Sequence, residues 1–317
     1  MKNCLLLITL LSGITVVSAQ SVTDAGKEKT ITIPATGVAI QGSLLSNSNK
    51  EKVVIIIAGS GPTDRNGNSI AGVNCDAYKL LATALVKNNI SSFRYDKRGI
   101  AKSVVENFNE TDLSFDDYIN DAVTIYNYLK DSLGFKKIYF AGHSEGSLIG
   151  MIASAKTNAQ GYISIAGAGR PINMIITEQV TRKSAAAGAV TDSLFTILKT
   201  KNKIDSVPPY LLSVFRPSVQ PYMVSWMKYD PAAEIGKIKS PVLIVQGTCD
   251  IQVKVADAAN LAKGNKKAKL ILIERMTHVL KDADADCTDK DLSTYHNPSL
   301  PLDIKFVNEV ISFIKSN

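Results

Sequence analysis

Ile138-Tyr139-Phe140-Ala141-Gly142-His143-Ser144-Glu145-Gly146 is the stretch on which the rest of the chain is read. An apolar run fit for a buried strand leads into Gly-x-Ser-x-Gly, and a helical pattern begins at Ser147. The spacing has a steric cause. A serine on so sharp a turn needs glycine two positions before and two after it, because a side chain at either place would clash. The turn lifts the Ser144 hydroxyl above the end of the strand, with the start of the next helix beneath it. That positive helix end favours developing negative charge. The same pentapeptide also occurs in ordinary strand-to-helix loops; the strand and helix that flank it here are what give it weight. Ser144 is therefore the candidate nucleophile.

On either side of this stretch, β-branched runs alternate with helical patterns. Residues 30–33 and 38–45 read as two strands joined by a short turn at Ala35-Thr36-Gly37. Residues 53–57 are uninterruptedly apolar, as expected of a strand covered on both faces. Further strands are expected at 91–95, 137–141, 161–165, 242–246 and 270–273. Helices are expected at 78–87, 115–133, 147–155, 255–262 and 304–314. This alternation predicts an α/β fold with a mostly parallel, doubly wound sheet. One interval breaks the rhythm. From 170 to 233 there are helical stretches and prolines but no convincing strand, too long an interval for a simple crossover. It is expected to be a helical cap inserted over the carboxyl ends of the strands, dividing the core into residues 20–169 and 234–317.

A serine nucleophile needs a base, and the chain has three histidines. His143 adjoins the nucleophile and is expected to point elsewhere, and His296 lies in a proline-containing loop. His278 comes after the last expected strand and is the candidate base. A third group must hold the imidazole in the right tautomer. Val242-Leu243-Ile244-Val245-Gln246-Gly247-Thr248-Cys249-Asp250 is a buried strand ending in a turn with one carboxylate, so Asp250 is the candidate acid. The chain order is Ser144, Asp250, His278. Acyl transfer also needs donors aimed at an oxyanion. One is expected to be the backbone N–H of Glu145, and the other that of Ser60, with Gly61 next, in Ala58-Gly59-Ser60-Gly61-Pro62 after the first buried strand. As a nucleotide loop this stretch fails, for it lacks both the third glycine of one motif and the Gly-Lys-Ser/Thr of the other. The Glu145 carboxylate is expected at the surface or just behind the site.

These residues, together with Gly59-Ser60-Gly61-Pro62-Thr63-Asp64-Arg65-Asn66-Gly67, Phe93-Arg94-Tyr95-Asp96-Lys97-Arg98-Gly99, Gln246-Gly247-Thr248 and Met276-Thr277-His278-Val279-Leu280-Lys281, resemble bacterial serine carboxylesterases of the α/β-hydrolase superfamily. The resemblance spans nearly all of the chain beyond its amino-terminal segment. It implies hydrolysis of small esters with short acyl groups, through an acyl-enzyme on Ser144 and without a cofactor. A peptidase, an amidase or a thioesterase on the same residues is the alternative within enzymes, and a binding protein that kept the fold is the alternative outside them. Two positions depart from the pattern: Ala101 stands where a glycine is usual, which is expected to reshape that loop slightly, and Cys249 sits in the acid loop. Asp64 and Arg65 are expected to pair with each other or with nearby backbone to fix the oxyanion loop; otherwise Arg65 reaches a substrate carboxylate. Asp96 and Arg98 are expected to form structural pairs below the serine turn.

The remaining features bound the function class. The chain has 317 residues, 45 % of them hydrophobic and 21 % charged, ordinary for a globular enzyme. Lys2, the apolar run 5–11 and Val17-Ser18-Ala19 read as a signal peptide cleaved after Ala19, giving a secreted or periplasmic protein. Ser12, Gly13 and Ser18 break the run too often for a membrane anchor of about 20 apolar residues. The net charge of +7 falls by one with Lys2, and the remaining lysines are scattered, so no nucleic-acid partner is expected. The partner is a small-molecule ester, with no stable membrane insertion. Three cysteines survive cleavage: Cys75, Cys249 and Cys287. One disulfide is possible and the pairing is open, though a Cys249–Cys287 bridge would tie the acid loop to the histidine loop. Asp282, Asp284, Asp286, Asp289 and Asp291 suggest calcium, but Cys287 stands where the binding loop needs glycine and no glutamate closes it, so no metal is expected. Of Phe195, Tyr210, Phe215, Tyr222, Met223, Trp226, Met227 and Tyr229 in the cap, most are expected to form its own core, with a few from 222 to 229 facing the acyl group.

Overall fold

The computed structural model describes residues 26–47, 50–283, 287 and 292–317. The signal peptide expected at 1–19, and Asp284, Asp286, Asp289 and Asp291 of the acidic run, lie outside the described residues.

Among the described residues, eight strands form one sheet: β1 (Lys27–Ala35), β2 (Val38–Ser46), β3 (Lys52–Ile57), β4 (Ser91–Tyr95), β5 (Lys137–His143), β6 (Gly161–Ile165), β7 (Val242–Gly247) and β8 (Lys269–Ile273). Their spatial order is β1-β2-β4-β3-β5-β6-β7-β8. The first two make an antiparallel hairpin through Gly37, and β2 meets β4 antiparallel. Every later pairing is parallel. The α-helices that accompany them are α1 (Ala77–Val86), α2 (Phe115–Asn127), α3 (Glu145–Lys156), α4 (Ile172–Lys183), α5 (Ala185–Lys201), α6 (Leu212–Phe215), α7 (Gln220–Trp226), α8 (Pro231–Ile235), α9 (Val255–Gly264) and α10 (Ile304–Ser316).

The two-residue period of a strand explains why β3 is apolar throughout. Val53, Ile55 and Ile57 pack into one core with α2 and α3, while Val54 and Ile56 pack into a second core with α1 and α10. Both faces are covered, so no position in the run tolerates a charge. The helix expected over 115–133 begins at a capping box, Ser114 with Asp117, but loosens into a π-turn over Tyr128–Ser132. Between β6 and β7 the described chain is helical from α4 to α8, joined by 3₁₀ turns. Phe195 and Phe215 meet edge to face at 4.7 Å inside this segment. Its α7 leans on α2, with Trp226 stacked on Phe115 and Tyr222 edge-on to Tyr118. Among the described residues no helix is long and apolar enough to cross a membrane.

Candidate active site

Ser144 sits between β5 and α3 with φ 54° and ψ −119°, a conformation L-residues avoid. The two glycines that flank it leave no choice. A Cβ at Gly142 would overlap the carbonyl of Gly146, and one at Gly146 would overlap the carbonyls of Ile57 and Ala58. Ser144 holds the N-cap position of α3, yet its side chain makes no capping bond.

Asp250 lies just beyond β7 and His278 just beyond β8, and both are buried. The His278 ring Nδ1 lies 2.7 Å from Asp250 Oδ2. A carboxylate only accepts, so Nδ1 carries the proton and Nε2 is left as an acceptor. Oδ1 of Asp250 accepts the amides of Gln252 (2.8 Å) and Val253 (2.9 Å), and Oδ2 also accepts Gln246 Nε2 (3.0 Å). Burial pushes this carboxyl upward, but the neighbouring His278 and the two amides outweigh it and hold it below the usual range. Ser144 and His278 line one cavity of about 190 Å³ together with Ser60.

His143 lines that same cavity, with its ring 4.6 Å from the His278 ring, but both of its nitrogens are engaged elsewhere, and those partners assign its protons. Its Nε2 lies 2.8 Å from the His278 carbonyl and so donates, leaving Nδ1 to accept from Tyr78 OH at 2.7 Å. Tyr78 OH in turn accepts the Gly59 N–H at 3.1 Å. Burial drives the His143 pKa down to about 3, with the neighbouring His278 adding to the shift, so the ring stays neutral. His296 is exposed in a 3₁₀ turn.

Ser60 lies at the rim of three cavities. Glu145 departs from the surface alternative: its side chain is 3 % exposed. The carboxylate is paired with Lys97 and accepts Tyr222 OH from α7 at 2.7 Å. Lys97, itself buried, also donates to the Gly59 carbonyl at 2.7 Å and lies 4.8 Å from the centre of the Tyr118 ring. Removing one partner from such a pair leaves a bare buried charge, at a cost of about 3–5 kcal/mol. Neither Lys97 nor the His143–Tyr78 chain stood out in the sequence. The signal available for Lys97 was its place in a charged run at the very end of a buried strand.

The other charged residues near the site have partners of their own. Arg65 does not pair with Asp64. It forms an ion pair with Asp96 at 2.6 Å and donates to Gln41 Oε1 at 2.9 Å. Asp64 Oδ1 instead accepts the amides of Asn66 and Asn68, closing its own loop. Arg65 lines none of the three cavities at Ser60, which leaves it no route to a substrate carboxylate. Asp96 and Arg98 do pair, but with partners on other elements, Arg98 with Asp121 of α2 at 2.5 Å. Ala101 takes φ 46°, the left-handed conformation a glycine adopts freely, so the chain meets the missing glycine with backbone strain. Of the open cysteine pairings, the structure holds Cys249–Cys287, with Cα atoms 4.9 Å apart, and leaves Cys75 as a buried free thiol. Asp282 pairs with Arg275 at 3.3 Å. Of the aromatic and Met residues at 222–229, Tyr222, Met223 and Trp226 reach a cavity wall.

Comparison with known proteins agrees with this architecture. A family profile described as serine aminopeptidase, S33, matches residues 71–216, a span that holds Ser144 and ends before Asp250 and His278. The chain is 25 % identical to Esterase EstD of Thermotoga maritima over 271 residues, which is 84 % of this chain, and it spans 63 % of that relative's length. Among solved structures, the esterase Pf2001 of Pyrococcus furiosus superposes with a TM-score of 0.62 at 17 % identity, covering 92 % of this chain and 91 % of that one. Est1E of Butyrivibrio proteoclasticus, solved with ferulic acid bound, gives 0.60 at 21 % identity over 90 % and 100 % of the two chains. The strand order, the serine turn and these likenesses together give the chain the α/β-hydrolase fold.

Proposed function

We propose that the protein hydrolyses carboxylic esters through an acyl-enzyme on Ser144, with His278 as base and Asp250 as the group that orients it. The observation that carries this is the contact between His278 and Asp250. Asp250 Oδ2 lies 2.7 Å from Nδ1 and accepts its proton's hydrogen bond, which leaves Nε2 of His278 as the acceptor in a cavity it shares with a serine on a strained turn. His278 takes the Ser144 proton as the hydroxyl attacks the carbonyl carbon, and the amides of Ser60 and Glu145 receive the oxyanion. His278 then gives that proton to the leaving alcohol, and water repeats the sequence on the acyl-enzyme.

The helices from 170 to 233 act in this reading as a cap that supplies the acyl site. The cavity beneath them, about 490 Å³, is walled by Leu148, Ile172, Ile175, Val180, Val214 and Trp226. That falls within the range of about 300–1,000 Å³ that buries small organic ligands, which supports a small acyl group as the occupant. Export belongs to the same proposal; a Cys249–Cys287 disulfide suits an oxidising compartment.

The aminopeptidase description of the matching profile favours a second reading, cleavage of amides beside a free α-amino group. Such an amine needs an uncommitted carboxylate. The carboxylates lining the three cavities at Ser60 are Glu145, held by Lys97, and Glu110, held by Arg216. Ester hydrolysis makes no such demand and is preferred.

A p-nitrophenyl ester series from acetate to palmitate, assayed with the wild type and Ser144→Ala, tests the proposal. We expect turnover that peaks below the long chains and falls at least about 10⁴-fold in the variant. Turnover that survives the substitution, or silence across the whole series, overturns it.

A further inference from the structure

The strand order places β3 between β4 and β5, so the loop after β3 lies between the loops that leave those two strands. Lys97 stands just beyond β4 and Glu145 just beyond β5; their side chains pair, and Lys97 also bonds the carbonyl of Gly59, in the loop after β3. We propose that Lys97 is a positioning residue for the oxyanion site, which rests on the ester-hydrolysis reading above.

Two physical effects make the case. The first is geometric. The Gly59 carbonyl and the Ser60 N–H belong to one peptide unit, and among the described residues there are no cis peptide bonds. In a planar trans peptide the two groups point in opposite directions. Lys97 draws the carbonyl toward itself at 2.7 Å, which turns the Ser60 N–H to the opposite side. Ser60 lines two cavities together with Ser144. Tyr78 holds the Gly59 N–H from another direction, so the peptide units on either side of Gly59 are both fixed. Without Lys97, the Gly59–Ser60 peptide can rotate and lose the donor.

The second effect is electrostatic. Glu145 contributes the other oxyanion amide, and it carries a buried carboxylate. A bare anion there would oppose the negative charge that develops on the substrate. Lys97 cancels it with a side chain that is itself buried, where charge effects are stronger than in water. Tyr222 bonds the same carboxylate from α7, so the helical segment is tied to the oxyanion side of the site through this pair.

The test compares Lys97→Met, Glu145→Gln and the double variant on p-nitrophenyl butyrate. It measures kcat, KM, thermal midpoint and inhibition by a trifluoromethyl ketone that mimics the tetrahedral adduct. The single Lys97→Met protein buries a lone carboxylate and is expected to lose both stability and rate. The double variant removes both charges and keeps an acceptor for Tyr222, so its thermal midpoint should return toward wild type. Its kcat should stay about 10–100-fold low, with KM changed less than about 3-fold and ketone inhibition weakened by a factor that tracks kcat/KM. A double variant that regains wild-type kcat together with its stability overturns the positioning role, since the pair would then only balance charge. An unchanged kcat in Lys97→Met overturns it as well. The wild type and Ser144→Ala, run first, separate this from failure of the ester reading: a silent wild type, or an active Ser144→Ala, defeats that reading and this one with it.

Discussion

The turn around Ser144 and the helices between β6 and β7 face the same cavities but are held by different forces. Around Ser144 the backbone decides. Gly142 and Gly146 admit no side chain, φ at Ser144 is positive, and the amide of Ser144 is tied to the Ile165 carbonyl at 3.0 Å. In the helical segment side chains decide. Trp226 and Tyr222 lean on Phe115, Phe195 packs on Phe215, and a few polar links such as Arg216 with Glu110 pin it to the rest. The difference teaches where chemistry and selectivity reside. A geometry fixed by sterics and short-range bonds can carry a reaction that fails when misplaced by about an ångström. A geometry fixed by apolar packing can change its lining without disturbing that reaction.

The sharpest way to break the comparison is to disturb the rigid side. Asp250→Asn keeps the shape but replaces the acceptor of Nδ1–H with a group that can donate, favouring the wrong tautomer of His278. We expect kcat on p-nitrophenyl butyrate to fall by about 10⁴. A loss of less than tenfold would show that Asp250 does not set the tautomer.

On the packed side, Trp226→Ala should cost about 3–5 kcal/mol of stability in urea unfolding, as for other buried aromatic truncations. Activity on the acetate ester should survive while preference shifts along the ester series. If all chain lengths lose rate by the same factor, the helical segment is part of the chemistry and the contrast drawn above fails.

His143 tests the rigid side through pH. Its folded pKa is about 3, against 6.5 for the free group. The unfolded chain therefore binds a proton that the native protein refuses, and stability falls as pH drops from 6.5 toward 3. This group alone contributes a slope of about 1.4 kcal/mol per pH unit in that window. Denaturant unfolding at pH 7 and pH 5 should show a shallower loss in His143→Gln than in wild type; equal losses would mean the ring is protonated or exposed in the native state.

The smallest effect belongs to Ala101. A left-handed alanine costs about 1–2 kcal/mol relative to glycine, and glycine's extra freedom in the unfolded chain returns part of that. Ala101→Gly should raise stability by up to about 1 kcal/mol and leave kcat unchanged. Destabilisation would show that the Ala101 methyl makes a contact that outweighs the strain.

Much of this molecule was determined by the sequence alone. Apolar or alternating runs mark all eight strands, most plainly β3, β6 and β7, which are buried on both faces and filled largely by apolar side chains. Gly142 and Gly146 mark the serine turn, because sterics leave no other residue there. Asp250 and His278 stand out as the polar groups just beyond two apolar strands. What the tertiary structure decided are pairings between residues far apart in the chain. Arg65 finds Asp96 rather than Asp64, Glu145 is buried rather than exposed, and Lys97 reaches both Glu145 and the Gly59 carbonyl. The Cys249–Cys287 bridge and the chain from Gly59 through Tyr78 and His143 to His278 are of the same kind. The reason is strand order. A sequence shows that β3, β4 and β5 exist, but only folding sets β3 between the other two and so brings their carboxyl ends, with their charges, around one loop.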